Sequence, residues 1–224
     1  MKNPARGGGR WVEVAPQRLV TWVESFAGRH PGVTATAAGR DVVTFAAEDG
    51  AVAECHVPFP PLPGGLPAAA GAAAGLVAGH VQAPRTVGVL LVRLGGYAVG
   101  VFAGSPPRLA ASKVGSRLVH GRSAAGGRSQ HRFARRREKQ AAEALSAAAD
   151  TADAVLGPFA GELDAVVLGG DRRAVSALRD DPRLKRFFEL AGDRFLTVPD
   201  PRLAVLRDTP RMFSAIRIRL TEPG

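Results

Sequence analysis

Two apolar runs, VGVLLV at 87–92 and YAVGVFA at 97–103, are separated only by Arg93-Leu94-Gly95-Gly96. Neither run alternates apolar with polar residues, so each has to be buried on both faces. The short glycine-bearing connection makes them an antiparallel hairpin inside a sheet. A further strand pair is expected over about 108–120, and DAVVLGG at 164–170 reads as an apolar strand. Two short helices are expected at 171–179 and 183–191, then strands RFLTV at 194–198 and FSAIRIRL at 213–220. Strands in succession followed by helix–strand alternation give an α/β layer fold, a mixed sheet covered by helices. This second domain is expected to span 84–224.

The chain before it reads differently. Residues 1–10 look like a disordered basic tail, and 11–57 like a small α+β N-terminal domain. Leu19, Val20, Trp22, Val23 and Phe26 mark an amphipathic helix between Pro16 and Arg29, which His30-Pro31-Gly32 ends. Strands are expected at 33–37, 41–46 and 51–57, with turns at Gly39-Arg40 and Asp49-Gly50. Trp11 and Trp22 read as core or staple residues rather than base-stacking platforms. Five prolines in PFPPLPGGLP, 58–67, exclude a regular element. With the Ala-rich helix expected over 68–82, this stretch forms a linker at 58–83; Gly71, Gly75 and Gly79 weaken the helix or let it lie close to a neighbour.

Charge singles out one segment. The net charge is +10, and residues 112–139 hold nine basic side chains against one acidic, Glu138. Here a small-residue loop, Gly121 to Gly127, passes into a long helix with Ser129 as its expected N-cap. Phe133, Ala141, Ala144, Leu145, Ala148, Ala152, Val155 and Leu156 recur at helical spacing and form the apolar face. Arg132, Arg135, Arg136 and Lys139 lie on the opposite face, while Arg137 falls nearer the apolar one, either overhanging the sheet or snorkelling out. Helix N-termini favour acids by about 0.3–1 kcal/mol each, so arginines crowded at this end point to an anion met there. A localised patch of this kind is an electrostatic footprint for nucleic acid. A solvated charged face is the bland alternative.

Other chemistries find little support. Cys55 is the only cysteine, which excludes an internal disulfide and a Cys-based zinc site. No signal-peptide core or membrane-spanning run is visible, so a soluble cytoplasmic protein is expected. His30, His56, His80, His120 and His131 lack metal-ligand spacing, and no metal or cofactor is expected. Ser129 beside His131 has no acid to complete a triad. The central strands carry no carboxylates for two-metal nuclease work, and Asp164 and Asp171 merely flank a strand. Gly169-Gly170-Asp171 lacks the lysine and hydroxyl of a P-loop.

The stretch KVGSRLVHGRSAAGGRSQHRFARRR, 113–137, set after a hairpin and before a strand ending in Gly-Gly, resembles the middle domain of class I peptide-chain release factors of eukaryotes and archaea. It is most similar to the release-factor-like peptidyl-tRNA hydrolases of ribosome-associated quality control and their actinobacterial relatives, over about 84–220. The resemblance implies a ribonuclease-H-like fold and insertion of the loop into the peptidyl transferase centre. It also implies Gln130 as catalytic glutamine, with Gly126, Gly127 and Ser129 in the same loop. Release factors proper carry contiguous Gly-Gly-Gln; here Arg128 and Ser129 intervene, as in the quality-control branch. The RNA-binding set is then Lys113, Arg117, Arg122, Arg128, Arg132, Arg135, Arg136, Arg137 and Lys139. The implied partners are the large ribosomal subunit and peptidyl-tRNA, met by a monomer; no codon-reading domain is visible. Three readings stay open: peptidyl-tRNA hydrolysis through Gln130, ribosome or tRNA binding without chemistry, and metal-independent cleavage near the tRNA 3′ end.

Overall fold

The computed structural model describes residues 3–4, 9–93, 95–116 and 129–223. The chain divides into two units, residues 1–83 with 211–224, and residues 84–210.

The first unit is a six-stranded antiparallel sheet with two helices on one face. Its strands are β1 (Asn3–Pro4), β2 (Arg10–Val14), β3 (Thr34–Ala38), β4 (Val42–Ala46), β5 (Val52–His56) and, from the other end of the chain, β11 (Ile216–Thr221). They lie in the order β1-β2-β11-β5-β4-β3. Alternation explains the one-sided burial. Val43 and Phe45, Ala53 and Cys55, and Ile216, Ile218 and Leu220 point into the core, against Leu19, Val23 and Phe26 of α1 (Leu19–Ala27) and Ala74 and Val77 of α2 (Ala70–Gln82). The outer face carries Glu13, Arg217, Glu54 and His56, with the Arg217 guanidinium 4.5 Å from the Trp11 ring centre.

Three expectations are corrected here. Part of the N-terminal tail is in the sheet, because Asn3 and Pro4 pair with Trp11 and Arg10. The 58–83 stretch does not only link: α2 buries Ala73, Ala74, Val77, Ala78 and Val81 in the core, while Gly71, Gly75 and Gly79 face outward with nothing near them. The last strand, expected in the second domain, pairs with β2 and β5 instead. Its Ile-Arg-Ile-Arg-Leu alternation fits a sheet covered on one face only. Of the two tryptophans expected in core or staple positions, Trp11 is half-buried on the outer face and Trp22 stacks on Phe26 at 5.8 Å.

The second unit is built on β6 (Arg85–Arg93), β7 (Gly96–Gly104), β8 (Arg108–Ser116), β9 (Ala165–Gly170) and β10 (Ala191–Leu196), in the order β10-β9-β6-β7-β8. β6, β7 and β8 are antiparallel, whereas β9 and β10 run parallel to β6. This is the mixed, ribonuclease-H-like arrangement expected. β6 and β7 are buried on both faces, as their unbroken apolar runs require. One face meets the long helix α3 (Ser129–Leu156) with α4 (Arg172–Ala177) and α5 (Lys185–Glu189). Leu206 of α6 (Leu203–Ser214) packs near Gly100 on the other face. Helix α6, which contains Pro210, was not anticipated from sequence.

Candidate functional site

The sheet register of the second unit gathers several chain segments at one end. Arg93 pairs with Gly96, Gly96 with Ser116, and Val92 with Gly170. The carboxyl ends of β6, β8 and β9 therefore lie at the same end of the sheet, with the amino end of β7 between β6 and β8. The segment 117–128 leaves from this end, at Ser116, and the chain resumes at Ser129 as the first residue of α3. Gln130 is the second helical residue.

Not every expected site residue can be placed. Gly126, Gly127, Arg117, Arg122 and Arg128 lie outside the described residues, as do the side chains of Ser129, Gln130, Arg132, Arg135, Arg136 and Arg137 within α3. Lys113 is exposed on the edge strand β8, opposite Val99, and Lys139 is exposed on α3.

The far half of α3 explains how this end is held. Ala148, Ala149, Thr151, Ala152 and Leu156 are buried, and Ala141, Ala144, Leu145 and Val155 are half-buried, as the helical spacing predicts; Phe133 lies outside the described side chains. Gly88 leaves room for Leu156, whose Cδ2 would lie 3.1 Å from a Cβ there. Thr151 Oγ1 donates to the Tyr97 hydroxyl at 3.3 Å, and the Tyr97 ring lies across Gly115, where a Cβ would collide with it. Acidic residues decorate the outside of this half. Arg183 bridges Asp150 at 2.8 Å and Asp181 at 2.7 Å, and Arg186 reaches Asp153 at 3.2 Å. The hydrogen bond from Arg183 holds the Asp181 carboxyl below its usual range, while Asp181 and then Asp150 raise the guanidinium. These exposed pairs add little stability. Their consequence is charge separation along one helix: a half neutralised by ion pairs, and an N-terminal half rich in arginine. From Ser129 to buried Ala148 the helix extends about 28 Å.

Beside α3 lies a cavity of about 320 Å³ that sequence reasoning missed. The strand ends supply Val92, Arg93, Gly95, Gly96 and Tyr97; α3 supplies Ala141, Ala144 and Leu145; and Asp171 and α4 close the third side. Gly170 shapes this corner with φ +102°, where an added Cβ would collide with the Val92 carbonyl oxygen. The close approach lets Asp171 N donate to that oxygen at 2.7 Å. Arg93 is fixed by its Nη1 bond to Val198 O at 2.8 Å. The only sequence signal was the pair of Gly-Gly steps at strand ends.

Both flanking carboxylates have structural tasks. Asp164 Oδ2 accepts from Thr86 N at 2.7 Å, and Asp171 Oδ1 accepts from Arg173 N and Ala174 N at 2.7 and 3.1 Å, capping α4. Among the described residues no three His, Cys, Asp or Glu side chains group as metal ligands, and no helix is long and apolar enough to cross a membrane. Cys55 is buried, and desolvation pushes its thiol far up.

A family model described as Actinobacteria/chloroflexi VLRF1 release factor matches residues 85–219. No curated protein matches the chain in sequence. Among solved structures, the archaeal translation termination factor aRF1 is similar at 15% identity and a TM-score of 0.43, over 87% of this chain and 52% of that one. A second, described only as an archaeal protein, is similar at 16% identity and a TM-score of 0.39, over 74% of this chain and 48% of that one. The chain thus spans about half the length of these solved structures.

Proposed function

The chain belongs to the Actinobacteria/chloroflexi VLRF1 release factor family, and from that premise we propose that it is a peptidyl-tRNA hydrolase that frees nascent chains from stalled large ribosomal subunits. The observation that carries this reading is the position of Gln130. It stands second in a helix whose far half is locked into the core of the second unit. Gly126 and Gly127 precede it in the segment that leaves β8. A site presented this way suits insertion between RNA walls, where glycines admit close backbone approach.

The chemistry then follows from an amide that does not titrate near neutrality. Gln130 is no general base; its side chain orients a water against the ester, and its backbone N–H faces the developing negative charge. The ester and most of the surrounding site belong to tRNA and rRNA. The arginines of 112–139 neutralise phosphates, which makes binding weaken as salt rises.

The test is incubation of purified large subunits carrying stalled peptidyl-tRNA with wild type and with Gln130→Ala. Free peptide with full-length tRNA is expected for wild type, and bound but uncleaved peptidyl-tRNA for the variant. Equal release by the variant sinks the role of Gln130. A shortened tRNA 3′ end replaces hydrolysis with tRNA cleavage, and intact peptidyl-tRNA with tight wild-type binding leaves a non-catalytic ribosome factor.

A further inference from the structure

We propose that the cavity between α3 and the carboxyl ends of β6 and β9 binds one unstacked ribonucleotide, base inside and phosphate on Arg173. Topology makes the crevice. β6 and β9 are parallel neighbours, but beyond Arg93 the chain turns into β7 on one side, and beyond Gly170 it passes through α4 towards β10 on the other. Strands that part in this way leave the kind of opening in which α/β sheets bind ligands.

The walls select the ligand. Val92, Tyr97, Ala144, Leu145 and Ala174 give a largely apolar slot, and its volume of about 320 Å³ lies at the small end for ligand sites. Gly95 and Gly96 bring bare backbone to the rim. The rim adds one basic side chain, Arg173 on α4. The Arg93 guanidinium is turned instead to the Val198 carbonyl and to the Asp200 carboxylate, 3.8 Å away. Arg173 is exposed, and the neighbouring Asp171 carboxylate is committed to the α4 amides. An apolar side chain of a protein partner has no use for the cation, and a free anion has no use for the slot. A nucleotide uses both: the π-face of its base fills the slot, and the phosphate takes Arg173. The basic segment 112–139 leaves from this same end of the sheet, so RNA drawn to it meets the opening.

This inference needs RNA at the site but not hydrolysis, so absence of peptide release leaves its test intact. Tyr97 is the only tyrosine in the chain, and its ring resonances report on the slot. The full chain is titrated with the four ribonucleoside 5′-monophosphates, with a short single-stranded RNA and with inorganic phosphate. Nucleotides and RNA are expected to shift the Tyr97 signals. Ala174→Leu, which fills the slot, is expected to weaken binding tenfold or more, the scale of one base deprived of its stacking surface. Arg173→Glu, on the exposed rim, is expected to weaken it comparably while leaving the melting temperature unchanged. Three outcomes overturn the proposal: Tyr97 signals that no nucleotide moves, affinities that neither variant changes, or shifts that inorganic phosphate reproduces. Tyr97 shifts caused by an apolar peptide, with none from nucleotides, assign the cavity to a protein partner instead.

Discussion

Gly170→Ala tests the corner on which both the second sheet and the cavity depend. Gly170 has φ +102°, which L-residues rarely adopt, and a Cβ there runs into the Val92 carbonyl oxygen. Holding alanine in such a conformation costs on the order of 1–3 kcal/mol. Relieving the collision means displacing β9 from β6 at the bond from Asp171 N to Val92 O, roughly another 0.5–1.5 kcal/mol. Together these amount to about 3 kcal/mol, or roughly a 10 °C lower melting temperature for a unit of this size. Gly161→Ala is the matched control in the same unit. It is exposed, lies outside the left-handed region and has nothing within 4 Å of an added Cβ, so a change of a degree or two, upward if anything, is expected. Both are read by thermal denaturation followed by circular dichroism. If Gly170→Ala melts within about a degree of wild type, the argument from backbone conformation and close approach is wrong.

The remaining expectations concern charge, pH and chain order. Replacing Arg132, Arg135 and Arg136 together by Gln should flatten the dependence of large-subunit binding on salt, by about 0.7–0.9 in log–log slope for each phosphate no longer neutralised; an unchanged slope removes these residues from the RNA interface. His56 titrates below its ordinary value, because of desolvation first and the Arg217 charge second, with Glu54 and Asp41 opposing and Arg219 adding. Its unfolded form takes up protons more readily than its folded form, so the first unit should lose stability as pH falls below about 6.5. His56→Gln should show a shallower fall in melting temperature between about pH 7.5 and 5, and an identical slope argues against the shift. Removing residues 215–224 takes out β11, which pairs with both β2 and β5. The first unit should then show no cooperative transition, whereas a retained one would mean that β2 and β5 close without it.

Sequence reading succeeded where a local pattern decides burial. The central hairpin β6–β7 could be read because its unbroken apolar runs admit only two-sided burial, and β4 and β5 because alternation and Asp49-Gly50 agree. The buried half of α3 followed from helical spacing through Ala148, Ala152 and Leu156. What failed was long-range. Ile216, Ile218 and Leu220 declared a one-faced strand, but nothing local says which sheet receives it. Helix α2 was undervalued because its buried side chains are mostly alanines, which bury well at short helix-to-sheet distances but give little hydrophobic contrast with intervening glycines. Pro210 hid α6, since proline inside a helix is ordinarily a break. The cavity draws its walls from strand ends, α3 and α4, so no window of sequence contains it. The Gly-Gly loop before Gln130 was the reverse case: its composition and order made it legible as a motif, while residues 117–128 lie outside the described part of the chain.

The interleaving of β11 between β2 and β5 sets the order in which the molecule is completed during its own synthesis. The second unit is entirely encoded before Ile216, so it can reach its full set of strands first. The first sheet, although most of it emerges earlier, waits with a vacant lane between β2 and β5. At about 5–20 residues per second, the stretch from His56 to Thr221 takes roughly 8–30 s to translate. For that interval two strand edges are open to wrong partners, the hazard that exposed edges bring. The charged outer positions Arg217 and Arg219 and the acidic Glu13 and Glu54 that flank them across the strands favour the right one, because only β11 brings both arginines into the gap in register.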